Sequence, residues 1–442
     1  MTANIRGRLI LVDPSLEDFR GHYHQYACHV LRAARQAGFE PLLAANRRFP
    51  TSAQSEFPVY SVYQYGVWSR PLDPGRTRLV SGILARTGAK ELVRKALGPA
   101  LSWQRRLADR VRVRQFARDT ADLVRKTNAG ANDLVFLPTM GQAELEGLLE
   151  TIEQIPDGRQ PQWHLVFRYD PPCPVRNRGP ADLLARTFTR AGRMRCGHRL
   201  HFFTDTDELS DLYRQFSGLP FATLPIPHTD KPAPPRPPCG GPLRILYLGG
   251  ARKEKGFHHL PNIVRRVRED LLAAGQAAFA VQSAGNLTLE EPEIIAARKD
   301  LQTLAGQGLT LLGEALTPEQ YRGLLHSGDL ALLPYDRQAY RARSSGILAE
   351  VLAAGIPAIV PAGTWLARQL PAVSSGSTPV GLAYEDVGEV PQLLRRMVRS
   401  HETYRDAARE FASRWMERHN AAGLIEILVA VGNALGGVPG HT

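Results

Sequence analysis

The segment PIPHTDKPAPPRPPCGGP (225–242) constrains the whole chain. Its eight prolines in eighteen residues exclude both a helix interior and a central strand. We read it as a linker, with 229–241 at its heart, dividing a chain of 442 residues into two runs of similar length. In the first run, Arg8-Leu9-Ile10-Leu11-Val12-Asp13 reads as a short buried strand. A glycine-histidine loop at Gly21-His22 follows, then an apolar-periodic helix through Tyr26, Val30, Leu31 and Ala34 that ends at Gly38, and a second strand at 40–44. Further strands are expected at 133–137, 163–167 and 199–203. Beyond the linker the alternation restarts, with strands at 243–248, 278–283, 309–312, 330–333 and 356–361 and helices near 257–274 and 345–354. Strands alternating with helices imply parallel α/β sheets, so two Rossmann-like halves are expected. A final helical stretch, about 401–431, carries Phe411, Trp415, Leu424, Ile427 and Leu428 for packing back on the body.

Composition narrows the class. Hydrophobic residues at 43% and charged residues at 22% are ordinary globular usage and exclude a disordered or collagen-like chain. The four cysteines, Cys28, Cys173, Cys196 and Cys239, are scattered without a CxxC pair, which argues against a structural zinc site or a disulfide framework and for reduced thiols. The apolar run Leu9–Val12 is cut off by Asp13-Pro14, and nothing approaches the ~20 residues that span a bilayer. The expectation is a cytoplasmic protein, peripheral at most on the inner face of a membrane.

Charge is uneven. Lys and Arg number 55 against 43 Asp and Glu, a net +12, and residues 68–126 alone hold fifteen Lys/Arg and five Asp/Glu. Within them, WQRRLADRVRVRQFARDTADLVRK (103–126) has helical spacing, with Leu107, Val111, Arg114 or Gln115, Arg118 and Asp122 on one side and Trp103, Val113, Phe116 and Leu123 on another. Such a cationic helix suits an anionic membrane surface or an anionic acceptor. Nucleic acid is not expected, because no recognised binding module or aromatic stacking platform accompanies the patch.

Two segments carry site chemistry. In Leu246-Tyr247-Leu248-Gly249-Gly250-Ala251-Arg252-Lys253-Glu254-Lys255-Gly256 a strand ends in two glycines, so backbone can approach a ligand, and cations follow just before a helix. That combination suits a diphosphate; the bland alternative is a tight turn with solvated lysines. In Arg343-Ser344-Ser345-Gly346-Ile347-Leu348-Ala349-Glu350, Ser344 or Ser345 is a natural N-cap and Gly346 leaves first-turn amides open to an anion. Glu350 follows one turn later on a mostly apolar helix. A carboxylate buried there needs a partner, and a ribose diol offers two donors.

The blocks LYLGGARKEKGFHHL, FAVQSAGN, LTLLGEALTPEQYRGLLHSGDLALLPY and SSGILAEVLAAGIPAIVP, in that order over 243–361, resemble the nucleotide-binding half of GT-B glycosyltransferases of the retaining GT4 type. The N-terminal half is similar more loosely, through Gly21-His22, the strand ending Phe167-Arg168-Tyr169-Asp170, and FFTDTDELSDLY followed by LPIP. The resemblance implies two Rossmann-like domains facing each other across an interdomain cleft: an acceptor-side domain (1–228), the linker (229–241), a nucleotide-sugar domain (242–400), and C-terminal helices (401–442) packing back across them. It implies a metal-independent hexosyltransferase of polysaccharide or glycolipid biosynthesis. The donor is a nucleotide-diphosphate sugar and the acceptor a glycan or lipid-linked sugar, with no further cofactor.

Residue by residue, Lys255 matches the phosphate-binding lysine of the family and Glu350 the second glutamate of its spaced pair, which holds the ribose. Gly249, Gly250, Arg343, Ser344, Ser345, Gly346 and Ile347 complete the donor site. Arg252 and Asp170 join Lys255 as catalytic candidates, and Gly21, His22, Arg168 and Tyr169 face acceptor or cleft. The chain departs from the pattern where Gly250 replaces an arginine, where Ala342 replaces the first glutamate, and where Arg168-Tyr169-Asp170 replaces an interdomain histidine. These departures keep two other readings in play, a catalytically weak nucleotide-sugar-binding scaffold and a GT-B-fold epimerase.

No metal site is expected. Asp205-Thr206-Asp207 has the DxD spelling, but it opens a helix, where Asp205 or Thr206 serves as a cap, and His22-Tyr23-His24 is read as ligand contact before metal. The chain has no GxGxxG, P-loop or GxSxG motif, which argues against dinucleotide oxidoreductases, P-loop ATPases and α/β-hydrolases.

Overall fold

The computed structural model describes residues 6–19, 22–50, 55–67, 90–171, 181–228, 240–284, 291–306, 308–314, 316–370 and 379–436. Gly21, residues 68–89 of the basic stretch, Cys173, Cys239 and most of the proline segment lie outside them, as do the side chains of His22 and of 90–106. By its contacts the chain divides into two compact units, Met1–Phe19 with Val30–Leu224 and Ile425–Thr442, and Arg20–His29 with Pro225–Leu424.

Unit 1 is a seven-stranded sheet, every pairing parallel, built from β1 (Arg8–Asp13), β2 (Glu40–Asn46), β3 (Val59–Tyr63), β4 (Leu134–Leu137), β5 (Gln162–Val166), β6 (Leu200–Thr204) and β7 (Phe221–Thr223). The strand order is β3-β2-β1-β4-β5-β6-β7. Leu9 to Val12 are fully buried, as a central parallel strand covered on both faces requires. The helices are the part of α1 (His22–Gln36) from Val30 onward, α2 (Lys90–Thr127), α3 (Gln142–Ile152), α4 (Ala181–Gly192) and α5 (Asp207–Ser217). His22 opens α1, a correction to its expected place in a loop.

The buried side of α2 takes in Phe116 and Leu123 of the apolar row together with polar and charged residues. Arg112, Phe116, Ala117, Asp119, Thr120, Leu123 and Thr127 face inward. Arg112 pairs with the buried Glu144 of α3 and donates to Val67 O, because a guanidinium removed from water must find a carboxylate. Leu107, Arg110, Arg114 and Arg118 remain exposed at helical spacing. Among the described residues no helix is long and apolar enough to cross a membrane.

Unit 2 carries the second parallel sheet, six strands in the order β10-β9-β8-β11-β12-β13. They are β8 (Leu243–Tyr247), β9 (Ala277–Gln282), β10 (Leu309–Leu312), β11 (Leu330–Leu332), β12 (Ala358–Pro361) and β13 (Gly381–Tyr384). The helices are α6 (Leu260–Arg266), α7 (Pro292–Leu304), α8 (Pro318–His326), α9 (Gly346–Ala353), α10 (Trp365–Arg368), α11 (Val390–Arg399) and α12 (His401–Arg418), and α13 (Ala421–Gly436) closes the chain.

The helix expected near 257–274 is broken into a 3₁₀ turn (Phe257–His259), α6 and a π turn (Arg268–Ala273), with Pro261 in the first turn of α6. The helical stretch expected at 401–431 is two helices, α12 and α13. Asn420 ends one by donating to Glu417 O at 2.7 Å and starts the next by accepting the Gly423 N–H at 2.8 Å, satisfying the orphan groups of both termini.

Candidate functional site

In an open parallel sheet, ligands bind outside the carboxyl ends of the strands, where the strand order reverses. In unit 2 that point lies between β8 and β11. Gly249 and Gly250, just past β8, both have positive φ, +83° and +44°. The φ of +83° favours glycine at 249, and a Cβ there would displace the tip of Lys255 and press on Ile347 at 3.2 Å. The turn is held by Gly249 N–H donating to Gln282 Oε1 at 2.7 Å and Ala251 N–H to Ala284 O at 3.0 Å. Lys255 ends a 3₁₀ turn (Lys253–Lys255) closed by Gly256 at φ +70°, where a Cβ would collide with Pro334 O. Lys255 and Ile347 therefore converge on the glycine turn from two different elements.

The second wall comes from the segment after β11. Lys255 Nζ lies over the Tyr335 ring, 5.7 Å from its centroid. The Tyr335 and Tyr340 rings are 4.6 Å apart, and the Arg343 guanidinium lies 4.7 Å over Tyr340. Arg343, 15% exposed, also pairs with Glu254 at 3.4 Å. Arg252 is 57% exposed and only 3.8 Å from Glu254, so it borders the pocket where Lys255 lines it. The aromatic pair thus carries a cation at each end.

Helix α9 supplies the third wall. Ser345 is its N-cap and accepts the Leu348 N–H at 3.2 Å. Gly346 has no side chain because His228 Nε2 would stand 2.9 Å from its Cβ. Glu350, 5% exposed, accepts the Tyr321 hydroxyl at 2.5 Å. Burial pushes its carboxyl up to about 7, restrained by Tyr321 and by the Lys255 charge. Burial pushes the Lys255 ammonium down to about 7, reinforced by Arg252 and Arg343 and opposed by Glu254 and Glu350. Positive charge, the amino end of α9 and a buried acceptor lie around the same glycine turn, which suits a ligand joining an anion to a diol.

Unit 1 has its own switch point, between β1 and β4. Asp13 ends β1 with its carboxyl pushed by burial up to about 6, against the Ser15 N–H at 2.9 Å and Arg168. Arg168 pairs with Asp205 at 2.8 Å and donates to Pro138 O at 2.7 Å, while Tyr169 O accepts the Tyr213 hydroxyl at 2.8 Å. Thr206 caps α5. Arg168, Tyr169 and Asp170 thus belong to unit 1, and Lys255, Arg343 and Glu350 to unit 2. Among the described residues no group of three or more His, Cys, Asp or Glu side chains is placed to hold a metal.

Sequence reasoning missed Tyr321, Tyr335, Tyr340, Glu254 and Asp13. Asp13 alone left a signal, a carboxylate closing an apolar strand.

At the sequence level the chain matches no protein-family model and no curated protein. Solved structures do match. A trehalose-6-phosphate structure from E. coli bound with UDP-2-fluoro glucose superposes at TM-score 0.65 and 12% identity, covering 98% of this chain and 99% of that one. Sucrose-phosphate synthase from Thermosynechococcus elongatus gives 0.61 and 12%, with 97% of each chain covered. S. aureus TarM in complex with fondaparinux, alpha-GlcNAc-glycerol and UDP gives 0.53 and 11%, covering 72% of this chain and 59% of that one. At such identities the likeness speaks for the fold. The two parallel Rossmann-like sheets are those of GT-B structures.

Proposed function

We propose that this protein is a retaining glycosyltransferase that moves a sugar from a nucleotide-diphosphate sugar to a glycan, glycolipid or other hydroxyl acceptor. The observation that carries this reading is the convergence of the Gly249-Gly250 turn, Lys255 and the amino end of α9 at one switch point, with Glu350 buried one turn further in. Lys255, Arg252 and the amides of Gly346 and Ile347 stabilise the charge that grows on the departing diphosphate, with no divalent ion required. Glu350 accepts from the ribose hydroxyls, and Arg343 with Ser344 and Ser345 borders the diphosphate. Unit 1 takes the acceptor through Arg168, Tyr169 and Asp170. Retention and the GT4-like assignment rest on the motif resemblance. Two of the similar structures hold UDP species, which makes UDP the first nucleotide to try.

The exposed arginines of α2, Arg110, Arg114 and Arg118, together with Leu107 at 40% exposure, support docking on an anionic membrane surface. Lipid-linked acceptors would be met there.

The reading is tested by thermal shift against UDP, GDP, ADP, CMP and dTDP, with and without magnesium. One diphosphate should stabilise the protein without magnesium, and Glu350→Ala should abolish most of that stabilisation. Silence across the panel, or an undiminished response in the variant, would sink the donor-site assignment.

A further inference from the structure

Tyr321 sits inside the block LTLLGEALTPEQYRGLLHSGDLALLPY but carries no role in the sequence resemblance, yet it makes the one direct side-chain hydrogen bond to Glu350 among the described residues. Its position is not left to a loop. Helix α8 is fixed at its start by a capping box, Thr317 Oγ1 accepting the Gln320 N–H at 3.2 Å and Gln320 Oε1 accepting the Thr317 N–H at 2.9 Å. Tyr321 and Leu325 pack into the same core as Leu348, Val351 and Leu352 of α9. Phenol and carboxylate are thus presented to each other by two packed helices.

A carboxylate offers about four lone-pair sites on two oxygens, and the phenol engages Oε2. The other group facing Glu350 is Lys255, from the turn after β8, while Tyr335, beyond β11, faces Tyr321. Take the phenol away and Lys255 alone supports the ionised carboxylate.

We propose that Tyr321 is a positioning residue for a ribonucleotide: its hydroxyl anchors Oε2 of Glu350 and leaves Oε1 to accept from the 2′- and 3′-hydroxyls. The inference rests on the reading of Glu350 as the ribose ligand. Its consequence is a pH window. The Glu350 carboxyl titrates at about 7, so affinity for a ribonucleotide falls as pH drops through that value. Loss of a donor that favours the ionised form moves the midpoint up by about one unit.

Tyr321→Phe keeps the ring and its packing while removing the donor. Calorimetric titration with UDP, GDP and ADP from pH 6 to pH 9 reads the effect as a ratio of wild type to variant, with 2′,3′-dideoxy analogues, which lack the diol but keep the diphosphate, as the control for the titration of Lys255. The variant should bind the ribonucleotide about fivefold more weakly at pH 7, nearly tenfold more weakly at pH 6, and match wild type at pH 9. The dideoxy analogue should bind both proteins alike. A loss that is uniform across pH, or equal for the dideoxy analogue, would reduce Tyr321 to packing and overturn the proposal.

A ligand-free measurement separates the proposal from the reading beneath it. Titration of ¹³C-carboxyl-labelled glutamate by NMR, with the signal assigned by Glu350→Gln, should show a higher midpoint in Tyr321→Phe. An unmoved midpoint sinks Tyr321 and spares the ribose assignment. A moved midpoint with unchanged nucleotide affinity sinks the ribose assignment and the proposal with it.

Discussion

In unit 1 the strand beside the switch point, β1, ends in the buried carboxylate of Asp13, whereas in unit 2 the corresponding strand, β8, runs into Gly249 and Gly250 and on to Lys255. The sheets share their topology around these strands, with two strands on one side reached in the order 2-1 and the rest on the other. Topology places a crevice at the same point in both; the residues just past the strand decide what enters it. Glycines and a cation suit an anion that must touch backbone, and a half-paired carboxylate beside Arg168 suits hydroxyl groups. On the proposed function, one architecture would serve two ligand chemistries, at the cost of a buried charge in each.

The strongest way to break this contrast is Lys255→Ala. If the unit 2 crevice stabilises a leaving diphosphate, release of nucleoside diphosphate from the donor should slow by about 10²-fold or more with the fold intact by circular dichroism. Wild-type turnover would remove Lys255 from the site.

Asp13→Asn sharpens the contrast from the other side. The folded-state carboxyl titrates at about 6 against 3.8 unfolded. The folded state then holds the extra proton between those values, and stability falls as pH rises through that window. At pH 7.5 the buried charge costs up to about 3 kcal/mol, so the asparagine variant should melt at a higher temperature there and lose its advantage below about pH 4. Its affinity for the nucleoside diphosphate should be unchanged. A variant less stable at pH 7.5 would show that the Asp13 charge supports the fold, and a loss of nucleotide affinity would end the division of labour.

The smallest effect is expected at the surface of unit 1. Arg114→Gln should weaken sedimentation with phosphatidylglycerol vesicles about fivefold without altering nucleotide affinity. Binding that is insensitive to the change would mean that this stripe is simply solvated.

Much of the fold was legible along the chain. β1, β4, β5, β8 and β11 are near-continuous apolar runs, the mark of parallel strands covered on both faces. Val59–Tyr63, Phe221–Thr223 and Gly381–Tyr384 were missed. They are edge strands, short and only partly apolar, and what makes them strands is their pairing with Leu43–Asn46, Phe202–Thr204 and Ala358–Pro361. The residues proposed for the donor site could be picked out for a similar reason of locality. Gly249, Gly250, Lys255 and Gly256 lie within eight residues, and Ser345 to Glu350 within one helix, so backbone geometry and capping announced them.

Read alone, the chain determined which residues could turn, cap, span a sheet or hold a phosphate, since those properties depend on neighbours a few positions away. Only the tertiary structure decided which charges share a space. Arg112 has the same local signature as Arg114 but is buried against Glu144, and Tyr321 reaches Glu350 across 29 positions of sequence. Hydrogen bonding and burial act over a few ångströms in space, whatever the distance along the chain. The protonation of Glu350 and Lys255 is therefore a property of the packed core and of no single segment.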